Sequence, residues 1–427
     1  GGIINAYSDI KYIDCIFTEN EAPYGGAIYS SNSTDSFFNC TIRKNVAPNW
    51  SLGSGSASGA AGGCYFISGS VYMKSCLIDS NSINGYANIP GPSGYTVSST
   101  SGGGLIISNG SLTAENCVFD DNLSTTGVAV ASLSSGNVFR NCVFINNDAD
   151  LYPFALNKPQ KGSGIWSRQS YNRVYGCSFI GNNSYEDAAI YCGFQDTLET
   201  VNCVFYDNTE DGGISSDIGI LSGVNGGVLI NSTHNASDVG DTSVLDTGGG
   251  FVNLSASHYK DLFVDSVDHI GPDDIWGTED DGLNLSVSSL LIGKGTALNG
   301  ITEDIVGTAR NASPCIGAYE LDICSETSGT VYVDVNATGV NSGLSWSNAF
   351  TDLQDALDLR MSCNNVDTIL IAEGTYYPTS APDETTTDPR KRAFHLAGAN
   401  VVVIGGYDPV SGAKTGDTTF LDGDLVT

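Results

Sequence analysis

One phrase recurs along this chain and leaves few folds open: cysteine, then Phe or Ile two residues later, then asparagine five residues later. The cysteines are Cys15, Cys40, Cys76, Cys117, Cys142, Cys177 and Cys203, and the matching asparagines Asn20, Asn45, Asn81, Asn122, Asn147, Asn182 and Asn208. Between them stand Phe17, Ile42, Ile78, Phe119, Phe144, Phe179 and Phe205. Twelve residues before the cysteine lies Ile3, Ile28, Leu105, Val130 or Ile165; the two other copies have Cys64 and Tyr191 there, which predicts a slight slip. Neighbouring copies are 25, 36, 41, 25, 35 and 26 residues apart. A fixed unit with variable inserts is the signature of a solenoid.

The unit excludes a helical solenoid. Cys-x-Phe has period two, and the unit is rich in Gly, Asn and β-branched residues, which suit short strands joined by turns. The expected fold is all-β: a parallel β-helix with one rung per unit, stacked about 4.8 Å apart by parallel ladder bonds. Cysteine and the Phe or Ile beyond it then face inward in vertical columns. Asparagine ends the strand, where a left-handed or turn backbone suits it and where amides can bond from rung to rung. The inserts at 46–62, 82–101 and 148–162 are expected to be loops at one corner.

Seven stacked cysteines read as small buried hydrophobes, since one nucleophile does not need seven copies. Reactive thiols need a basic or helix-terminal setting, which these segments lack. Disulfides between rungs are not expected, because stacked Cβ vectors run parallel. Cys324 and Cys363 stand outside the column and are the expected disulfide, with Cys315 as a competitor.

Charge narrows the partners. With 48 acidic and 17 basic side chains the net charge is −31, which repels nucleic acid and anionic membranes. No apolar run approaches the roughly 18 residues that span a bilayer, and no leader peptide is visible in "GGIINAYSDI". The richest acidic cluster is Asp265, Asp268, Asp273, Asp274, Glu279, Asp280 and Asp281. It reads first as a solvated loop and second as a Ca2+ site, without EF-hand spacing. No cofactor is required. His234, His258, His269 and His395 are dispersed, with no zinc spacing.

Two elements together resemble a known repeat. "GGAI" (25–28) with "FTEN" (17–20), "FDDN" (119–122), "FINN" (144–147), "FIGN" (179–182) and "FYDN" (205–208) look like polymorphic outer-membrane protein repeats. The match covers about residues 1–230. That resemblance implies a right-handed parallel β-helix in a secreted bacterial surface protein, often an adhesin. "LFVD" (262–265), "DGLNLSVSSLLIGKGTA" (281–297) and "CIGAYE" (315–320) resemble the closing region of choice-of-anchor β-helix surface proteins. Residues 331–357, 368–379 and 401–408 resemble their opening region, so an end precedes a beginning.

The expected organisation is therefore rungs over 1–250, closing rungs and an irregular tail over 251–320, a linker at 321–330, and the start of a second or neighbouring β-helix over 331–427. One capping helix is expected near 347–361, with Ser347 as its cap and Phe350, Leu353 and Leu357 as its apolar stripe. Strands are expected at 368–372, 393–396, 400–405 and 419–421. Gly1 opens on a rung and Thr427 stops where the resembling proteins continue, so tandem or head-to-tail assembly into a filament is expected. The functional expectation is a secreted structural or adhesive protein of the extracellular space or bacterial surface, partnered by itself, a polysaccharide or a neighbouring cell surface. The alternative is a β-helix protein that binds or cleaves polysaccharide. It would need paired carboxylates, or a base beside acidic Ca2+ ligands.

Overall fold

The computed structural model describes residues 2–48, 60–84, 101–124, 127–149, 162–184, 189–210, 214–215, 217–221, 226–239, 242–265, 267–286, 289–321, 324, 327, 329–338, 341–363, 365–379, 392–396 and 401–423. Gly1, Thr427, the interiors of the three inserts and much of the expected linker lie outside the described residues. The chain divides into two units, one of residues 1–285 and 290–320, the other of 286–289 and 321–427.

The first unit is the parallel β-helix that the repeat predicts. Each rung gives one strand to each of three sheets. The first sheet runs from Ile3–Ala6 to Ile218–Ile220 through eight strands, the second from Asp9–Ile13 to Val228–Thr233 through eight, and the third from Ile16–Thr18 to Val252–Asn253 through nine. The third-sheet pairing puts Phe17, Ile42, Ile78, Phe119, Phe144, Phe179 and Phe205 in one column. Its upper phenylalanines stack with centroids 4.6–5.0 Å apart and planes within 10°, the spacing that the strand ladder dictates.

The register corrects one expectation and refines another. Cys64 does not slip: it pairs with Ile28 below and Leu105 above. Slippage occurs in the seventh rung, where Ile190 rather than Tyr191 pairs with Ile165, and again above it, where Leu198 pairs with Leu229 but Glu199 with Asn231. The seventh rung takes seven positions from Ile190 to Thr197, where the rung below takes six from Ile165 to Tyr171.

The corners also differ from the sequence reading. The column asparagines are not the left-handed residues. Left-handed backbone falls on the residue before each: Glu19, Lys44, Ser80, Asp121, Asn146, Gly181 and Asp207, with φ between 47° and 61°. A second left-handed position precedes each cysteine: Asp14, Asn39, Ser75, Asn116, Asn141, Gly176 and Asn202. Asn and Asp are frequent there because a short polar side chain offsets the strain of that conformation.

Freed from turning the chain, the column asparagines form a ladder. Each Nδ2 donates to the next Oδ1 from Asn20 through Asn208 at 3.0–3.1 Å. Five of them also donate to the carbonyl of Phe17, Ile42, Ile78, Phe119 or Phe144, at 2.8–2.9 Å. Asn45, Asn81, Asn122, Asn147, Asn182 and Asn208 are at most 1% exposed, so each unmade bond would leave a costly buried group.

Asn235 ends the cysteine column, sitting opposite Cys203 as the pairing of Val204 with Ala236 requires. It accepts from the Cys203 N–H at 2.9 Å and donates to the carbonyl of Leu245 at 3.1 Å. Leu245, on the short helix Thr242–Leu245, is fully buried against the end of the core. Among the described residues of 251–320, Val252–Asn253 closes the third sheet with one more strand. After Val252–Asn253 the chain forms turns and two short antiparallel bridges, and it lies against the outer side of the third sheet.

In the second unit, parallel strands Thr330–Val333, Thr368–Ala372 and Val402–Asp408 form one sheet, and Gly374–Tyr376 pairs with Thr419–Leu421. The helix spans Leu353–Ser362 and its cap is Asp352, which accepts from the Gln354 N–H at 2.9 Å. Ser347 is no cap, because Asn341 Oδ1 takes the Thr351 N–H at 2.7 Å and holds the chain in a turn. Phe350, Leu353, Ala356 and Leu357 pack on Val331, Val333, Ile369 and Ile371. The segment 393–396 forms no strand. His395 instead exchanges two bonds with the Gln354 side chain, each 3.1 Å.

Replacing Asn122 with Ala should lower stability by about 3 kcal/mol, because it strands the Ile78 carbonyl and the Asn81 donors in a buried site. Asn20→Ala, at the solvated end, should cost less than about 1 kcal/mol. Urea unfolding followed by far-ultraviolet circular dichroism distinguishes the two.

Candidate functional site

The repeated residues are architectural in their detailed contacts. Cys40, Cys76, Cys117, Cys142, Cys177 and Cys203 are buried, and Cys15 at the lower end is partly exposed. Each Sγ–H of the column donates to the carbonyl two residues earlier, at 3.2–3.5 Å. Burial and the adjoining thiols push Cys117, Cys142 and Cys177 well above the usual thiol range. Hydrogen bonding to Cys76, with burial second, does the same for Cys40. A thiol held neutral is a poor nucleophile and a poor metal ligand. Outside the column, Cys324 and Cys363 form a disulfide with Cα atoms 5.2 Å apart, and Cys315 is buried and takes no part in it.

The acidic loop does not converge on one point. Among the described residues, no group of three or more His, Cys, Asp or Glu side chains is placed to hold a metal ion. Most of the carboxylates bond to their own turns instead. Asp265 accepts from the Val267 and Asp268 N–H groups, which hold its carboxyl below the usual range. Asp268 caps Gly271, Asp273 caps Ile275, and Asp280 accepts from Thr278 Oγ1 at 2.7 Å. Asp274 is a left-handed turn residue, φ 56°. Asp281 alone is buried: it accepts from Tyr319 OH at 2.6 Å and the Gly277 N–H at 2.8 Å, and burial raises its pKa to about 6. The histidines stay dispersed, with His234 in a left-handed corner and His269 stacked on Tyr259.

What the structure does bring together is a polar clasp between the β-helix and the strap formed by 254–285 and 290–320. Left-handed corner residues do the holding. Asn116 Nδ2 donates to the Asp304 carbonyl at 3.3 Å, and Asn141 Nδ2 to that of Glu303 at 2.7 Å. Asn202 exchanges two bonds with the Thr296 backbone, 2.7 and 2.9 Å. Arg310 is the hub. It donates to Asn141 Oδ1, to the carbonyls of Cys315, Gly317 and Ala318, and to Glu320, 3.2 Å away. The Arg310 and Glu320 side chains are only 5% and 0% exposed. Sequence reading missed Arg310. Its one signal was an isolated cation in a chain with 17 basic residues, ten positions before the glutamate of "CIGAYE".

The three outer faces of the β-helix are unlike one another. On the first sheet, Ile106 and Ala131 are fully buried and Tyr65 and Tyr191 are each 8% exposed. The third sheet is clasped by the strap. The second sheet presents a mixed, half-exposed face. There Glu115 bonds to Tyr72 OH (2.8 Å) and Arg140 (2.7 Å), Glu199 accepts from Tyr171 OH (3.3 Å), and Arg173 lies over the Tyr171 ring at 3.9 Å.

One carboxylate pair lies on the third sheet, and another, Glu373 with Asp417, lies in the second unit. Asp79 and Asp120 are register neighbours, and Arg43 pairs with Asp79 at 3.2 Å. Trp276 donates to Asp120 at 3.2 Å. No protein-family model matches this chain, and no curated protein is similar to it. No helix among the described residues is long and apolar enough to cross a membrane.

Arg310→Met should release the strap by leaving Glu320 buried and unpaired, at a cost of about 3–5 kcal/mol; hydrogen exchange should quicken in 290–320 well before the asparagine rungs. Under native conditions iodoacetamide should alkylate Cys15 and leave the rest of the cysteine column untouched, which peptide mapping reads directly.

Proposed function

We propose that this chain is a structural and adhesive segment of a secreted or cell-surface protein. Its β-helix is a stiff scaffold, and the outward face of its second sheet is the surface that meets a partner. The carrying observation is the unbroken asparagine ladder from Asn20 to Asn208. It commits the repeat to rigidity, and the Cys and Phe columns beside it are spent on packing. The second-sheet face supports the adhesive half. Its tyrosines and arginines are residue types enriched where proteins bind partners. The disulfide fits an oxidising, extracellular setting.

A polysaccharide is the partner that this face suits best, because aromatic rings carry sugar C–H faces while Arg and Glu bond to hydroxyls. The polysaccharide-cleaving alternative draws on Asp79 and Asp120, a carboxylate pair one rung apart. Trp276 engages Asp120 and Arg43 engages Asp79, which favours a structural role.

The test is adhesion of beads coated with the chain to polysaccharide-bearing surfaces. Joint replacement of Tyr72, Tyr171 and Arg173 by Ser should reduce adhesion by about tenfold or more, the equivalent of about 1.4 kcal/mol. Undiminished adhesion would overturn the assignment of the face. Electron microscopy of the same material separates single rods from the end-to-end filaments that the sequence leads one to expect.

A further inference from the structure

The third sheet is buried on both faces over its upper rungs. Outward side chains Val118, Val143, Ile145, Ile180 and Val204 are at most 3% exposed, whereas Ile16, in the column of Val118, Val143 and Val204 at the first rung, is 70% exposed. The strap lies on that face. Gly317 donates to the Asn202 carbonyl, the Ala318 N–H donates to Ser178 Oγ, and Tyr206 OH donates to the Ser257 carbonyl, all at 2.9–3.0 Å. Beneath it is an apolar parallel sheet of the kind that is normally covered on both sides.

We propose that the strap is a pH-gated cover, sealed over the third sheet in acid and loosened as the solution passes through neutrality. One contact between strap and sheet holds a half-buried carboxyl, Asp120, and two buried carboxyls, Asp281 and Asp304, tie the strap's own segments together. Asp120 receives Trp276 from the strap, Asp281 receives Tyr319, and Asp304 receives the N–H groups of Glu320, Val306 and Thr308. Asp120 is the decisive one. Asp79 faces it from the rung below and Asp121 is its chain neighbour, while the nearby cation, Arg43, is engaged with Asp79. Its own donors, Trp276 and the Asn146 side chain, are neutral. Around Asp281 stand Tyr319, Thr278 and Asp273, and around Asp304 stand Arg310 and Glu320.

Burial, and then the Asp79 charge, raise Asp120 from 3.8 to about 7. Burial raises Asp281 to about 6 and moves Asp304 upward as well. A carboxyl with a higher pKa in the closed state binds its proton more tightly there. Its stabilisation is therefore complete below the free value, 3.8, and is lost as pH rises through about 7 for Asp120 and about 6 for Asp281. The tryptophan N–H bonds to either form of Asp120, so the sensor is the uncompensated charge and not that hydrogen bond.

The inference adds regulation to the adhesive reading above, since the uncovered face is apolar; its test reads the strap itself, so either can fail alone. Hydrogen exchange on the whole chain at pH 5.5, 7 and 8.5, corrected for the intrinsic rate, should show strap protection falling by about tenfold or more, one pKa unit's worth. The asparagine rungs should keep theirs. Asp120→Asn should remove most of the change, and Asp79→Asn, which leaves Asp120 in place, should reduce it. Strap protection that does not vary with pH, or a full change retained in Asp120→Asn, would overturn the proposal.

Discussion

The amide of one column asparagine reaches the carbonyl oxygen of the next, and the fold of the first unit depends on that repetition. A parallel sheet fixes its register only through what its side chains demand. Here the demand is severe, because six of the seven amides are buried. A slip of one residue would bury unpaired groups on every rung. The cysteine and phenylalanine columns follow from the same register and add dispersion and apolar burial to a lattice that hydrogen bonds have already indexed. The slip at Tyr191 is tolerated because it is absorbed in the turn before Thr197, outside the ladder.

With the register set, the three faces are free to differ. One outer face is buried over its middle rungs, one is clasped by the strap and one is displayed. The clasp uses positions that the ladder does not. Asn116, Asn141 and Asn202 stand immediately before cysteines, in left-handed corners where their side chains point away from the core and can reach the strap backbone. One asparagine in each of these phrases turns the chain and holds the cover, and the other indexes the rung. The Arg310–Glu320 pair sits at the centre of the clasp, where its value is in fixing the strap's path, since burying a charge pair yields little net stability.

The core of the first unit was largely legible, because a period-two pattern with fixed spacing allows only one stacking. The inward Cys and Phe columns and the bonded Asn column could be named from the sequence. Which asparagine bends the backbone could not, since both "NC" and "xN" positions suit Asn, and only the dihedral angles separate them. The helix was legible in its stripe, Phe350, Leu353 and Leu357, and misplaced at its cap, because the Asn341 contact that delays its start comes from ten residues away. The acidic loop looked like a cation site because its composition does not reveal that the carboxylates cap their own turns.

The sequence by itself determined that the chain stacks, in what register, and which residues face inward, because those properties repeat and any local error would recur on every rung. Only the tertiary structure decided where residues 251–320 go. They carry no repeat, and their partners, from Asn116 to Tyr206, lie about 50 to 190 residues away in the chain. Hydrogen bonds to non-repeating backbone, and a carboxyl such as Asp120 that meets Trp276 only when two distant segments come together, leave no periodic trace. They exist only once the rungs have stacked and the strap has found them.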